Sequence, residues 1–235
     1  MSQSPERSAP SGSPYARALA AHADSAADLH PTLQRYFATI PLGGVGAGSG
    51  TFERVGTSRR WVRRLLFPVL RTLQRAGIVW AGWAENVPFT IENQTVNGRA
   101  VSMRRFELPT GTWTMRDSVS LNRDGRLVDE IGGTHSTGVQ CRVAAAFDLD
   151  VRDGGLILTS RAVGARLGRL RIGLPRWLAP VVRLREQYDD DSATQRVDVT
   201  IDAPLLGRIY EYGGHTTYDV VERSDAYNAS HPSDT

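Results

Sequence analysis

Apolar and polar residues alternate along most of residues 110–214, and turn-forming dipeptides separate the alternating runs. A period of two is typical of antiparallel strands that bury one face. Asn97-Gly98 is the strongest hairpin signal, and Asp124-Gly125 and Asp153-Gly154 repeat it further along the chain. The pattern therefore predicts a long β-meander as the framework of the fold.

Strands are predicted at residues 51–55, 88–94, 100–108, 112–121, 126–131, 139–151, 156–163, 169–172, 194–201 and 208–218. Residues 176–182 are expected to form a short helix or an extended arm. About ten consecutive strands do not form a flat open sheet, because strand twist curls or closes so large a sheet. We expect an α+β fold with a large, mostly antiparallel, strongly curved or barrel-like sheet and two or three packed helices.

A helix is predicted to begin near Pro31 and to end before Pro41, because apolar residues between them recur at helical spacing. His30, just before this helix, is expected to act as a local cap or packing residue. We expect one domain over residues 29–218, preceded by a disordered or weakly helical tail at 1–28 and followed by an acidic tail at 219–235.

Residues 43–50 form the run GGVGAGSG, which invites comparison with nucleotide-binding loops. The spacing fails, since the third glycine of a dinucleotide fingerprint would fall on Ser49 or Thr51. Ser49 also lacks the flanking glycines of a nucleophile elbow. The run is predicted to be a flexible turn that leads into the first strand.

Residues 59–75, RRWVRRLLFPVLRTLQR, contain six arginines and no acid. The apolar residues lie on one side of a helical wheel, and Pro68 is expected to break or kink the segment, which would give two short helices. One interpretation is a lid over residues 59–83 whose apolar face packs on the β-core. The other is an interfacial helix attracted to an anionic membrane surface through its arginines. Those arginines are Arg59, Arg60, Arg63, Arg64, Arg71 and Arg75.

The composition excludes several function classes. All 28 basic residues are arginine, so no lysine is present for a Schiff base, for pyridoxal phosphate or for a P-loop. Cys141 is the single cysteine and is predicted to be a buried thiol, so the chain has no cluster of cysteines that could bind zinc or an iron–sulfur centre. No cofactor, metal or nucleic-acid motif is recognised. The chain lacks the pattern of a secretory signal, and a cytoplasmic protein is expected.

Glu130 and His135 are candidate acid–base residues, because a carboxylate and an imidazole lie close together in sequence. Adjacent residues of a strand face opposite ways, so at most one of Asp129 and Glu130 can point inward. Tyr210, Tyr212 and His215 are expected to share one face of the last strand as packing or as a ligand wall. The acids at 148, 150 and 153 do not match a calcium-binding loop and are expected to face solvent.

Four sequence blocks resemble a bacterial family catalogued only as a domain of unknown function, number 4166. The blocks are LHPTLQRYF at 29–37, NVPF at 86–89, IGLPRWLAP at 172–180 and PLLGRIYEYGG at 204–214. Members of that family occur alone or behind NAD(P)-binding domains like that of saccharopine dehydrogenase. The resemblance implies an association with an NAD(P)-dependent oxidoreductase and implies no catalytic residue.

These patterns leave three hypotheses. The first is a carrier that holds a small apolar or lipid-like ligand in a β-cup, with the arginine-rich segment as its lid. Its candidate pocket residues are Trp61, Trp80, Trp83, Trp113 and Tyr210. The second is an enzyme that uses Glu130 or His135 for acid–base chemistry in the same cavity. The third is a module that attaches peripherally to membranes.

Overall fold

The computed structural model describes residues 12–21, 26–134, 140–173 and 177–222. Three helices are α1 (Pro14–Ala20), α2 (Pro31–Phe37) and α3 (Arg60–Arg75). The strands are β1 (Gly44–Gly56), β2 (Trp83–Val96), β3 (Arg99–Leu108), β4 (Gly111–Leu121), β5 (Leu127–Thr134), β6 (Gln140–Arg152), β7 (Gly155–Leu167), β8 (Leu170–Gly173), β9 (Val181–Asp189), β10 (Thr194–Ala203) and β11 (Gly207–Glu222).

The strands form one antiparallel sheet that closes into a barrel. The order is β6-β5-β4-β3-β2-β1-β11-β10-β9-β7, and β6 pairs with β7 to close the ring. The short strand β8 pairs with the last part of β7 and lies outside the ring. The predicted α+β fold with a barrel-like sheet is therefore confirmed.

The predicted hairpin turns are present. Asn97 and Gly98 both have positive φ, 50° and 69°, and they join β2 to β3 as a two-residue turn. Asp153 and Gly154 join β6 to β7 in the same way, with φ of 51° and 73°. Both pairs match the turn type whose twist suits antiparallel strands, which is why these registers could be predicted.

The glycine run was predicted as a turn, and this was wrong. Gly44 already begins β1, and the strand pairs with β2 and β11 along the run. A Cβ on Gly50 would lie 2.0 Å from the carbonyl oxygen of His215, and one on Gly46 would lie 1.6 Å from the Tyr218 hydroxyl. Glycine is required here because the strand passes so close to the β11 backbone and to an inward tyrosine ring.

Of the short helix or extended arm expected at 176–182, residue 176 lies outside the described residues, residues 177–180 are not helical, and the chain enters β9 at Val181. Strand β9 was not predicted at all. Its inward positions include Glu186, which is 4% exposed, while its neighbours Arg185 and Gln187 also are polar. A polar residue on the buried face removed the alternation that would have revealed the strand.

The helices close the two ends of the barrel. Helix α2 is capped by His30, whose Nδ1 accepts a hydrogen bond from the Thr32 amide at 3.2 Å, as predicted. Helix α1 lies within the stretch predicted as a tail, yet it buries Ala18 and Leu19 in the core that it shares with α2. This end therefore contains a structured element that the alanine-rich sequence only weakly indicated.

Helix α3 covers the opposite end. It connects the end of β1 to the start of β2, whereas α1 and α2 lie near the β2–β3 turn. Pro68 does not divide it, because one helix runs from Arg60 to Arg75. The Thr72 hydroxyl donates a hydrogen bond to the Pro68 carbonyl at 2.9 Å within this turn. No described helix has both the length and the apolar content needed to cross a bilayer.

Candidate functional site

Four charged side chains point into the barrel, and the three acids among them each lie between two inward apolar or aromatic residues of the same strand. Arg104 precedes buried Phe106 on β3, and Asp117 lies between Met115 and Val119 on β4. Asp129 lies between Leu127 and Ile131 on β5, and Glu186 lies between Leu184 and Tyr188 on β9. The period of two fixes their direction, so the strands carry these charges inward together with the apolar core.

Arg104 and Asp117 form an ion pair inside the barrel. Nη1 of Arg104 donates a hydrogen bond to Oδ1 of Asp117, and their side chains are 17% and 4% exposed. Burial raises the pKa of Asp117, and the adjacent guanidinium opposes that shift. Asp117 is therefore the carboxyl group best placed to remain ionised among the three.

Asp129 lacks such a partner. Residue Val119 faces it across the β4–β5 ladder, which places Asp129 diagonally beside Asp117. Its Oδ1 is fully buried and has no hydrogen-bond partner among the described residues. Burial, and then the neighbouring Asp117 charge, raise the pKa of Asp129 to about 8. The group therefore holds a proton at neutral pH.

Glu186 faces these residues from the other side of the barrel. Nε2 of Gln195 on β10 donates a hydrogen bond to its Oε2. Burial raises the pKa of Glu186 to about 7, although Arg104 and the Gln195 amide both favour the ionised form. Glu186 is thus divided between its charged and neutral forms near neutral pH.

Tyrosines surround the charged residues. Burial raises the pKa of Tyr212 to about 12, and the nearby acids add to this shift. Burial also raises the pKa of Tyr15 on α1, with further contributions from Asp129, Glu186 and Asp117. The hydroxyl of Tyr218 accepts a hydrogen bond from Asn93 Nδ2 at 3.3 Å. Among the described residues, Oδ1 of Asn93 is buried without a hydrogen-bond partner, like Oδ1 of Asp129.

A cavity of about 60 Å³ lies between these groups. It is bounded by Arg104, Asp117, Asp129 and Glu186 in the interior and by Tyr15, Tyr36 and exposed Ala38 toward the helices. A cleft of about 420 Å³ lies beside it and shares Tyr36 as a wall. Gln195 lines this cleft, so the Gln195–Glu186 hydrogen bond joins cleft and cavity.

This arrangement can bind a proton or a cationic group. Three carboxyl groups lie near one guanidinium, and two buried acceptor oxygens have no donor in the part of the chain that the structure describes. Arg104 already occupies the position where a metal ion would meet Asp117. Among the described residues, no three His, Cys, Asp or Glu side chains are grouped so that they could hold a metal.

The predicted acid–base pair lies elsewhere. Glu130 points outward and forms a 2.5 Å ion pair with Arg99, with both side chains 39% exposed. His135 lies outside the described residues. The expectation that at most one of Asp129 and Glu130 points inward holds, and the inward residue is Asp129.

None of the five predicted pocket aromatics lines the described cavity or the cleft beside it. Trp61 is on α3 and 54% exposed, and Trp83 at the start of β2 hydrogen-bonds to Glu85. Trp80 is buried, and its backbone amide donates to the Tyr210 hydroxyl at 3.1 Å. Trp113 packs on Phe106 and donates from Nε1 to the Gln74 carbonyl. These five residues belong to the α3 end of the barrel, which is filled with apolar side chains.

The segment predicted as a lid occupies that same end, whereas the cavity opens toward α1 and α2. The expected common face of Tyr210, Tyr212 and His215 was wrong as well, because His215 is an odd number of positions away. His215 points outward, where its Nε2 lies 3.3 Å from Glu53. Cys141 is buried as expected, and burial raises the pKa of its thiol.

The acids near residue 150 also behave as expected. Asp148 is exposed and forms ion pairs with Arg126 and Arg161 on the outer surface. Asp150 pairs with Arg152 at 2.7 Å, and Asp153 occupies the hairpin turn.

Comparison with known proteins places most of the chain in one family. The model of a family described as a domain of unknown function (DUF4166) matches residues 29–215. The uncharacterised protein YndH of Bacillus subtilis (strain 168) is 25% identical over 201 residues, which are 83% of this chain and 92% of that protein. No solved structure matches. All four inward charged residues lie within the family match, whereas Tyr15 lies before it.

Proposed function

The chain belongs to the family described as a domain of unknown function (DUF4166), and we propose that its barrel binds a small molecule that carries a protonated amine. The main evidence for this proposal is that the interior of the barrel contains more carboxyl groups than basic groups. Asp117, Asp129 and Glu186 face one guanidinium, and Oδ1 of Asp129 has no donor among the described residues.

Charge complementarity supports a cation. A buried carboxyl group stays protonated because isolated charge is costly in a medium of low dielectric constant. The positive charge of an ammonium group beside Asp129 and Glu186 would stabilise their ionised forms. It would therefore lower the pKa of both carboxyl groups. Binding therefore couples to proton release, with the protons leaving the two acids for solvent.

Hydrogen bonding and ring faces support the same ligand. An ammonium group has three donors, and the cavity offers the unpartnered oxygens of Asp129 and Asn93 as acceptors. Tyr15, Tyr36 and Tyr212 add aromatic faces to the lining, and such faces attract cations.

The sizes of the cavity and of the cleft indicate which part of the ligand each would hold. A volume of about 60 Å³ is enough for an amine head group and too small for a lipid chain. The cleft of about 420 Å³ can take the remainder of the molecule beside Tyr36 and Gln195. The apolar ligand expected from the sequence stays untested, and this polar lining favours an amine instead. An association with an NAD(P)-dependent oxidoreductase also stays a prediction.

The proposal can be tested on protein purified from its own cells. Small molecules would be released with acidified methanol and identified by mass spectrometry, for the wild type and for the double variant Asp129→Asn/Glu186→Gln. An amine-bearing compound should accompany the wild type and be depleted from the variant. No released compound, or equal amounts from both proteins, would count against the proposal. Glu130→Gln is the matched control, since its carboxylate lies on the outside of the same strand.

Acid–base catalysis is the second candidate. Glu186 and Asp129, with pKa values of about 7 and 8, are suited to exchange protons near neutral pH beside a cleft. This reassigns the chemistry expected of Glu130 and His135 to other residues. A metabolite extract incubated with wild type and with Glu186→Gln would reveal a compound that only the wild type consumes. If both proteins leave every compound unchanged, catalysis is not supported.

A further inference from the structure

Helix α3 has two apolar stripes, and only one of them faces the barrel. Val62 and Leu70 are buried against it, and Leu66 and Leu73 pack beside them. The other stripe repeats at helical spacing on the outside and consists of Trp61, Leu65 and Val69. These side chains are 54%, 60% and 56% exposed. The barrel therefore covers only one of the two apolar stripes of α3.

One further exposed apolar group lies beside the start of the helix, in the β10–β11 turn. Phe67 is also 51% exposed, but at 100° per residue it lies about 200° around the helix from Leu65 and does not belong to the stripe. Arg59 Nη1 donates a hydrogen bond to the Leu206 carbonyl at 3.2 Å, which brings the β10–β11 turn beside the start of α3. Leu205 in that turn is 93% exposed and has a φ of 69°. A leucine in the left-handed region is uncommon, and this one projects into solvent.

Arginines border the exposed stripe without local neutralisation. Arg60, Arg64, Arg71 and Arg75 are exposed and form no ion pair with any described residue. Arg59 and Arg63 use their guanidinium groups on backbone carbonyls, those of Leu206 and Thr57. Helix α3 contains no acidic residue. The surface therefore combines unpaired positive charge with large apolar side chains.

We propose that this surface, α3 together with Leu205, docks on a bilayer that contains anionic lipid. The arginines match the lipid phosphates, and each basic group near such a surface strengthens attachment. The aliphatic and aromatic side chains match the acyl boundary, as in helices that lie in the interface plane. A nucleic acid would match the arginines but would leave Leu65 and Val69 exposed to water. The surface is at the opposite end from the amine cavity, so docking leaves the cavity and its cleft facing the aqueous side.

Vesicle flotation tests this surface. Vesicles of phosphatidylcholine alone would be compared with vesicles that contain equal parts of phosphatidylcholine and phosphatidylglycerol. Arg64→Gln/Arg71→Gln would be compared with Arg116→Gln/Arg123→Gln, which removes the same charge from exposed positions on β4 and in the β4–β5 turn. We expect the first pair to weaken binding to anionic vesicles by roughly 25-fold, since each arginine contributes roughly fivefold. The control pair should bind like the wild type.

A second variant tests the apolar stripe. Leu65→Asp/Val69→Asp changes only exposed positions, where substitutions usually cost little stability, and it should abolish flotation with anionic vesicles. The proposal would be overturned if Arg64→Gln/Arg71→Gln and the control pair bound anionic vesicles equally well. It would also be overturned if the wild type bound neutral and anionic vesicles equally well. Retention on duplex DNA in place of vesicles would assign the surface to nucleic acid. A dimer in sedimentation that Leu65→Asp/Val69→Asp dissociates would assign it to a second copy of the chain.

Discussion

The side-chain amide of Gln195 lines the outer cleft and donates a hydrogen bond to the carboxylate of Glu186, which lines the inner cavity. Both side chains are almost fully buried, at 3% and 4% exposure. We therefore expect a change in the cleft that moves Gln195 to alter the protonation of this interior acid.

Replacing Gln195 tests that link. A donor stabilises the ionised carboxylate, so its loss in Gln195→Leu should raise the pKa of Glu186 above its value of about 7. Carbon-13 NMR of the glutamate carboxyl groups across a pH titration measures the change. A Glu186 titration that does not move, in a variant that remains folded, would show that the amide does not act on the acid.

Asp129 should make stability depend on pH. The folded chain keeps the protons of Asp129 and Glu186 up to about pH 8 and 7, whereas the unfolded chain releases them near pH 4. Between these limits the folded state binds more protons, so the free energy of unfolding falls as pH rises. Each group contributes a slope of up to about 1.4 kcal/mol per pH unit.

Asp129→Asn removes one of these slopes. Urea unfolding between pH 5 and 8.5 should show a shallower decline, and at pH 8 the variant should be more stable than the wild type. The gain arises because the amide cannot ionise, so folding no longer has to hold a proton on a carboxyl group that the unfolded chain releases at this pH. Glu130→Gln on the outer face should keep the wild-type slope. A steeper slope in Asp129→Asn would contradict the buried, protonated state of this residue.

Replacing only one partner of the Arg104–Asp117 ion pair should lower the free energy of unfolding substantially. Arg104→Met leaves Asp117 buried without its partner, and we expect a loss of about 3–5 kcal/mol in the free energy of unfolding. Arg104→Met/Asp117→Leu removes both charges and should recover most of this loss. Urea unfolding at pH 7 measures both proteins. A double variant as unstable as the single one would show that the pair is not the source of the effect.

Gly50 should tolerate no side chain. A Cβ there would lie 2.0 Å from the His215 carbonyl oxygen and 2.8 Å from the Thr216 Cα, so β1 and β11 would have to separate. Gly50→Ala should destabilise the protein by roughly 1–3 kcal/mol, as overpacking commonly does. Gly133→Ala is the control, because a Cβ at that position meets nothing within 4 Å. Equal melting temperatures for the two variants would contradict the close approach.

The fold was predictable where local chemistry fixes the chain. Asn97-Gly98 and Asp153-Gly154 each set the register of a hairpin, and His30 caps α2 as its position before Pro31 indicated. Two of the failures, at the glycine run and at β9, share one cause. Gly50 and Glu186 replace the buried apolar residue that strand patterns require, so the alternation disappears where the barrel is most specialised.

The site was only partly accessible from the sequence. Leu127, Asp129 and Ile131 share one strand face, and that parity identifies Asp129 rather than Glu130 as the inward acid. Arg104 and Phe106 are also two positions apart on one strand, so the same parity rule identifies Arg104 as an inward charged residue. These residues lie near Glu186 only because the strands pair in this order and the barrel closes. The alternation of apolar and polar residues does not predict strand order or closure.

The most direct test of the proposed amine site is calorimetric titration with primary amines of one to four carbons near pH 7. Measurements in two buffers with different enthalpies of ionisation give the number of protons released. We expect saturable binding of the amines with proton release, tighter binding as pH rises toward 8, and neither in Asp129→Asn/Glu186→Gln. The corresponding alcohols should bind more weakly. Equal amine binding by the wild type and the double variant, or proton uptake on binding, would contradict the account.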